Sequence, residues 1–306
     1  GIGTAANINA ATLQALTGNS GGYLLVTGPL VGDTEQILMK YFLQILAGIS
    51  NADVLLDPEG HIAIDDEIRI PFTVSDADLM LDVVLLSPVH RLIDLRVETP
   101  LGFVLRPSSI ETDHVETDPG EMLRFRVPLE LAPGRIDQAG TWHVVLSGPA
   151  TPGGGVDVED GNRDEQIALW KRLTRDSSRG TARYSVIVNV YSDVSFRATL
   201  RQNAATPGAR VDIDAVLTHF GAPFSGQAGA FAEITDPSGV QRRVDLQHDG
   251  DGRFSGAFVA GQAGVHRVRV RCAGRTPSGW QFHREHTQTA VVADHVPGSS
   301  TPEDGD

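Results

Sequence analysis

Few residues in this chain have the types and spacing that chemistry needs. Asp249-Gly250-Asp251-Gly252 sets two carboxylates at alternate positions, where a loop can share a hard cation such as calcium. The distal glutamate of a calcium-binding helix–loop–helix is missing, and Asp-Gly is itself a strong hairpin signal, so a tight turn is the simpler reading. His283-Arg284-Glu285-His286 comes nearest to the zinc pattern His-Glu-x-x-His. Its histidines are three apart in a strand-like run, where odd and even positions face opposite ways, so two solvated histidines are expected. Gly18-Asn19-Ser20-Gly21-Gly22 has the letters of a nucleophile elbow, but it precedes a strand, whereas the elbow follows one and opens a helix. A phosphate-binding loop is absent. Asp76 and Asp78 read as solvated carboxylates, with weak calcium ligation as the alternative, and Asp65-Asp66-Glu67 reads as a solvated charge run.

Rivals to a plain binding module stay open: a hydrolase, a carbohydrate-binding module, and an intracellular assembly subunit, which a single cysteine allows. Any two carboxylates can meet in space, so a hydrolase with an unrecognised carboxylate pair remains, though no spacing favours one. A carbohydrate-binding module would need a row of exposed aromatics. Aromatics are 6% of the chain and the tryptophans, Trp142, Trp170 and Trp280, are scattered. Trp142 also sits where strand alternation buries it.

The elements that must position these residues are bounded by composition. The 306 residues, 41% of them hydrophobic, suffice for about two domains and a fragment of a third. The net charge of −14 opposes binding to nucleic acid or to an anionic membrane surface. No run of residues is apolar enough to span a bilayer. The single cysteine, Cys272, excludes an internal disulfide and a cysteine-built zinc site and reads as a small buried hydrophobe.

Residues 1–50 read as α/β: a strand stub at Gly1–Thr4, a helix over Ala10–Thr17, a buried strand at Tyr23–Val26, and a helix over Glu35–Ala47. Ile37, Leu38, Tyr41, Phe42, Ile45 and Leu46 form a wide apolar stripe on that last helix, which predicts packing on the following domain or self-association through helix 35–47. Gly1 reads as a cut point inside a larger protein. After Ser50 short β-rich runs recur between Pro, Gly and Asp turns, the pattern of immunoglobulin-like β-sandwiches. The fold class is therefore mainly β: two tandem sandwiches, at 51–203 and 204–294, preceded by the short α/β segment and followed by a disordered tail at 295–306. The first sandwich is interrupted at 149–182 by an insertion with a helix over Asp160–Arg175. Trp170 on that helix either packs on the sandwich or serves as a hydrophobic anchor for a partner.

An internal repeat supports two sandwiches. Gln138-Ala139-Gly140-Thr141-Trp142 matches Gln262-Ala263-Gly264-Val265-His266, and Thr99-Pro100-Leu101-Gly102 echoes Asp236-Pro237-Ser238-Gly239.

Residues 1–48 resemble the end of a von Willebrand factor A domain. Gly1-Ile2-Gly3 is similar to its Ile-Gly-x-Gly strand, Gly21-Gly22-Tyr23 to the opening of its last strand, and Asp33–Gly48 to its terminal helix. The Asp-x-Ser-x-Ser of that family's metal site maps to no residue here. The remainder resembles the β-sandwich region of bacterial proteins related to the calcium-activated chloride-channel regulators, on Tyr184–Leu200, Pro207-Gly208-Ala209, Asp249–Gly256 and Ala263-Gly264-Val265. The resemblance implies a non-catalytic binding or spacer module of a larger surface or secreted protein. Its expected role is protein–protein adhesion, with a protein partner, no cofactor, and calcium at Asp249 and Asp251 as the alternative to a bare turn.

Overall fold

The computed structural model describes residues 12–13, 17, 24–27, 35–132, 134–150, 163–175 and 180–293. The strand stub at residues 1–4 and the tail at 295–306 lie outside them, as do 151–162 and 176–179 of the insertion. The protein is mainly β and divides by its internal contacts into two units. One comprises Phe42–Ser195 and Ala273–Arg284, the other Gly1–Tyr41, Phe196–Cys272 and Glu285–Asp306. The chain passes from one unit to the other first at Tyr41/Phe42, within the helix Glu35–Ile49, and then at Ser195/Phe196, near the 203/204 boundary read from sequence. The hairpin tip 273–284 groups with the first unit.

In the first unit β1 (Asp53–Leu56) and β2 (Glu59–Ile62) pair successively along one edge of β12 (Ala182–Ser192). The other edge of β12 pairs with β4 (Asp78–Leu86), and the sheet continues to β8 (Gly120–Arg126) and β7 (Thr112–Thr117). The facing sheet runs β3 (Glu67–Val74), β11 (Gly140–Ser147), β5 (Asp94–Glu98), β6 (Val104–Leu105). A hairpin of β9 (Leu129–Ala132) and β10 (Arg135–Asp137) stands apart. The core between the sheets is centred on Trp142, whose ring stacks on Phe125 at 5.5 Å and lies 6.3 Å from Phe72.

Strand β4 is apolar on both faces over Val83–Leu86 because both of its faces are covered. Leu81, Val83 and Leu85 enter the core, while Val84 and Leu86 join Ile187 on the outer face. Leu43 of α1 (Glu35–Ile49) packs on that outer cluster. The buried side of α1 takes in only part of the apolar stripe expected from sequence, with Tyr41 buried and Ile37 and Leu38 half-buried. Gln44 is turned inward, where its Nε2 donates to Asp57 at 2.9 Å, and Phe42, Ile45 and Leu46 are left exposed. A buried amide that finds a carboxylate outweighs part of the apolar burial that the other rotation would have gained.

Asp78 is not the solvated carboxylate expected either. Arg284 and Asp78 are fully buried together, with Nη2 2.6 Å from Oδ1. Arg284 also donates to Ser192 Oγ and to the Val194 carbonyl, and the Ser75 amide and hydroxyl cover the other carboxylate oxygen. Thr276 Oγ1 donates to Asp76 at 2.8 Å. Every donor and acceptor of a buried ion pair must be met in this way for the pair to be tolerated.

The second unit follows the order β13 (Val194–Gln202), β14 (Ala209–His219), β18 (Arg253–Ala260), β17 (Gln241–Gly250), β16 (Ala228–Thr235), β19 (Gly264–Arg275), β20 (Gln281–Val292). Strand β17 belongs to both layers: residues 241–246 pair with β16 and residues 247–250 with β18. Strand β19 buries His266, Val268, Val270 and Cys272 and turns Arg267, Arg269 and Arg271 outward. Leu24, Leu25 and Val26 are buried, as expected of that segment, but form no regular ladder. Leu24 accepts the Thr289 amide at 2.9 Å.

Candidate binding site

The far end of β14 carries the most unusual side chain of the second unit. Strand β14 turns through Phe220 and Gly221 into the short β15 (Ala222–Pro223). Both turn residues have positive φ, 52° and 75°. A left-handed conformation is ordinary for Gly221 and costs a bulky aromatic of order 1 kcal/mol. Phe220 is nevertheless 72% exposed, with its ring 4.4 Å from that of His219.

A second turn locks this one. Gly250 pairs with Arg253 around Asp251 (φ 50°) and Gly252 (φ 69°), a two-residue hairpin turn in which both central residues are left-handed. Gly252 accepts the Leu217 amide at 2.8 Å, and a Cβ there would lie 2.3 Å from the Leu217 carbonyl oxygen. The candidate metal ligands Asp249 and Asp251 are therefore exposed residues at a hairpin end whose geometry comes from the backbone. Among the described residues no three His, Cys, Asp or Glu side chains converge as metal ligands do. The end as a whole presents Phe220, Ala222 and Pro223 beside exposed His248, Asp249 and Asp251. That arrangement suits insertion of an aromatic into an apolar pocket with a polar rim.

Trp170 presents no such surface. Helix α2 (Arg163–Leu173) buries it at 1% exposure in the core of the first unit, and its indole N–H donates to the Gly180 carbonyl at 3.1 Å. The short amphipathic helix uses its one large aromatic to pack, because burying an indole gains more than any other contact the segment can make.

His286 is not a solvated histidine. Its Nδ1 accepts the Ala198 amide at 2.7 Å. Burial, with Arg197 adding to it, holds its pKa down to about 4. Carboxylates gather at β7 and β8, where Glu116 lies directly opposite Glu121. Burial, followed by Glu116 and Asp94, pushes Glu121 up to about 8, and His114 Nε2 is 3.1 Å from it. Glu116 is paired with Arg91 at 2.7 Å. Glu121 is thus a carboxyl that holds its proton near neutral pH.

Sequence reasoning missed Phe220 because periodicity assigns each residue to a face and says nothing about turn residues. The signal was His219-Phe220-Gly221, an aromatic just before the glycine of a tight turn.

Residues 185–292 match the family model of the second Ig-like domain of conditioned medium factor. The chain ends in an Ig-like region. Comparison with curated protein sequences finds no match. Among solved structures, the propeptide form of lipase BlEst2 from Bacillus licheniformis is similar at 13% identity and a TM-score of 0.42, over 93% of this chain and 57% of that one. A DUF4785 family protein from Legionella pneumophila gives 12% identity and a TM-score of 0.45, over 79% and 62%. This chain therefore spans less than two thirds of the length of either structure. No helix of the described residues is long and apolar enough to cross a membrane.

Proposed function

We propose that the chain is a non-catalytic binding and spacing module of a larger surface or secreted protein, and that it holds a protein partner through the Phe220 end of its second sandwich. Phe220 carries the reading: an exposed aromatic kept in left-handed backbone works against the fold and for a contact. The Ig-like match supports a module of this kind, since such sandwiches bind through end loops and strand edges. An A-type adhesion domain ahead of residue 1, as the resemblance of residues 1–48 implies, would make the sandwiches the arm that holds it. Asp-x-Ser-x-Ser upstream in the reading frame is the mark to seek.

The test compares wild type with Phe220→Asn, a residue that accepts left-handed backbone. Each is used to capture protein from one secreted and surface fraction, and the captured protein is then titrated in purified form. A partner bound at least about tenfold more weakly by Phe220→Asn supports the reading, and equal affinity contradicts it.

A second reading rests on Glu121. A carboxyl protonated near neutral pH beside His114 is a general acid in waiting. Hydrolysis of ester or glycoside substrates that disappears in Glu121→Gln would favour it.

A further inference from the structure

Strand β7 ends its sheet. It pairs with β8 over all six of its residues without a bulge, and among the described residues its other edge meets no strand. Half of the backbone groups of such a strand point away from its neighbour and want a partner. Asp113–Thr117 are exposed throughout. The edges of the facing sheet are blunted in ways that this one is not. Strand β3 carries Pro71 in its middle and β6 is two residues long, whereas β7 is regular and free of proline. What guards β7 is charge, with Glu111, Asp113, Glu116 and Asp118 in and beside the strand. His114 and Arg91 stand against them, Arg91 on Glu116 at 2.7 Å, while Arg124, opposite Asp113, is held by both oxygens of Asp82.

We infer that this edge takes an extended basic segment of a partner protein as an added strand. The unpaired backbone groups supply the ladder, and the acids select the sequence. Asp113 and Val115 share one face of β7, and Glu116 lies on the other, opposite Glu121. A segment with Lys or Arg beside Asp113 and Glu116, and a small apolar residue beside Val115, matches both faces. The Glu116 face is short of positive charge: burial, then Glu116 and Asp94, push Glu121 up to about 8. Two other occupants fit less well. Two copies of β7 paired antiparallel about His114 and Val115 would set Asp113 against Glu116 and Glu111 against Asp118, like charge on like. The segments of this chain outside the described residues contain a single Lys or Arg, Arg179, so they supply no basic strand. The edge belongs to the first unit and Phe220 to the second, so this contact does not rest on the Phe220 reading.

Fluorescence anisotropy of a labelled peptide, Lys-Thr-Lys-Val-Thr-Lys-Thr-Lys, titrated with the full chain tests this. We expect a Kd of about 100 µM, weakening severalfold between about 50 and 300 mM NaCl as the charges are screened. The same peptide with every backbone amide N-methylated keeps its charges but cannot donate to a ladder, and should bind at least about tenfold more weakly. The counterpart with Glu in place of Lys should bind at least about tenfold more weakly too. Amide exchange at Asp113–Thr117 of the wild-type chain should slow when the basic peptide is bound, a readout that needs no variant. Asp113→Lys combined with Glu116→Lys should lose binding by at least about tenfold with its tryptophan-fluorescence melting curve kept. Phe220→Asn should bind the peptide as wild type does. No binding at about 1 mM overturns the inference. So does equal binding of the methylated or the Glu peptide, equal binding by the doubly substituted chain, or unchanged exchange at Asp113–Thr117.

Discussion

In the first sandwich the Gln138 carbonyl accepts the indole N–H of Trp142 at 2.8 Å; in the second the Gln262 carbonyl accepts Nε2 of His266 at 2.9 Å. Between donor and acceptor in each copy lies a glycine of positive φ, Gly140 at 145° and Gly264 at 128°. A Cβ there would come within 2.8 Å of Pro100 in one and 2.7 Å of Pro237 in the other. Those prolines sit in matching turns, with the Thr99 amide bonded to Phe103 and the Asp236 amide to Val240. The same backbone device recurs, and its core position is filled by an indole in one copy and an imidazole in the other. Trp142 meets every polar need it has, whereas Nδ1 of buried His266 has no hydrogen-bond partner among the described residues. The first unit adds the buried Arg284–Asp78 pair. The difference teaches that the repeat fixes backbone geometry and leaves core chemistry free to diverge.

The contrast can be broken or sharpened by unfolding measurements, because Trp142, Trp170 and Trp280 all belong to the first unit. Tryptophan fluorescence reports that unit alone, while far-ultraviolet dichroism reports both. The largest effect is expected from Arg284→Met, which leaves Asp78 as an unpaired buried carboxylate. It should cost about 3–5 kcal/mol in the fluorescence transition, and a loss under about 1 kcal/mol would mean that the pair is solvated.

Opposite pH responses come next. Glu121 has its folded pKa raised to about 8, so the folded first unit holds the proton more tightly than the unfolded chain, and stability is lost as pH rises from the ordinary carboxyl range to 8. His286 has its folded pKa lowered to about 4, so the second unit loses stability as pH falls from the ordinary imidazole range to 4. The upper bounds on these swings are about 5 kcal/mol for Glu121 and about 3 kcal/mol for His286. Glu121→Gln should flatten the first and His286→Gln the second; two transitions that move together with pH would contradict both assignments.

Gly140→Ala and Gly264→Ala should each cost about 2 kcal/mol, each in its own unit, through strain at positive φ and contact with the proline. Strongly unequal losses would show that the repeat is one of sequence only. The smallest effect belongs to Asp251→Asn, within about 0.5 kcal/mol, since Asn-Gly suits the same turn. Millimolar calcium should leave its melting temperature, and that of wild type, in place.

Strands with alternating or continuous apolar runs were legible: β3 spans Glu67–Val74 as read, and β19 alternates arginine with buried residues. Strand β7 was not, because Thr112–Thr117 carries no apolar alternation and gains its place by pairing with β8. The inward turn of α1 was hidden as well, since Gln44 is buried for the sake of Asp57, a partner that periodicity cannot name. Asp78 looked like a loop carboxylate because its counter-ion, Arg284, is 206 residues away in the chain. Asp249 and Asp251 were legible as a turn. At the Phe220 end the sequence supplied the turn residues but not the exposure of Phe220, which depends on two hairpins closing beside each other.

Calorimetry of Phe220→Asn beside wild type tests most directly whether Phe220 is displayed for a partner at the fold's cost. The account predicts a second-unit transition about 2–4 °C higher, as relief of left-handed strain outweighs the lost contact with His219. A lower transition would show that Phe220 holds the fold together, and the binding role assigned to it would fail.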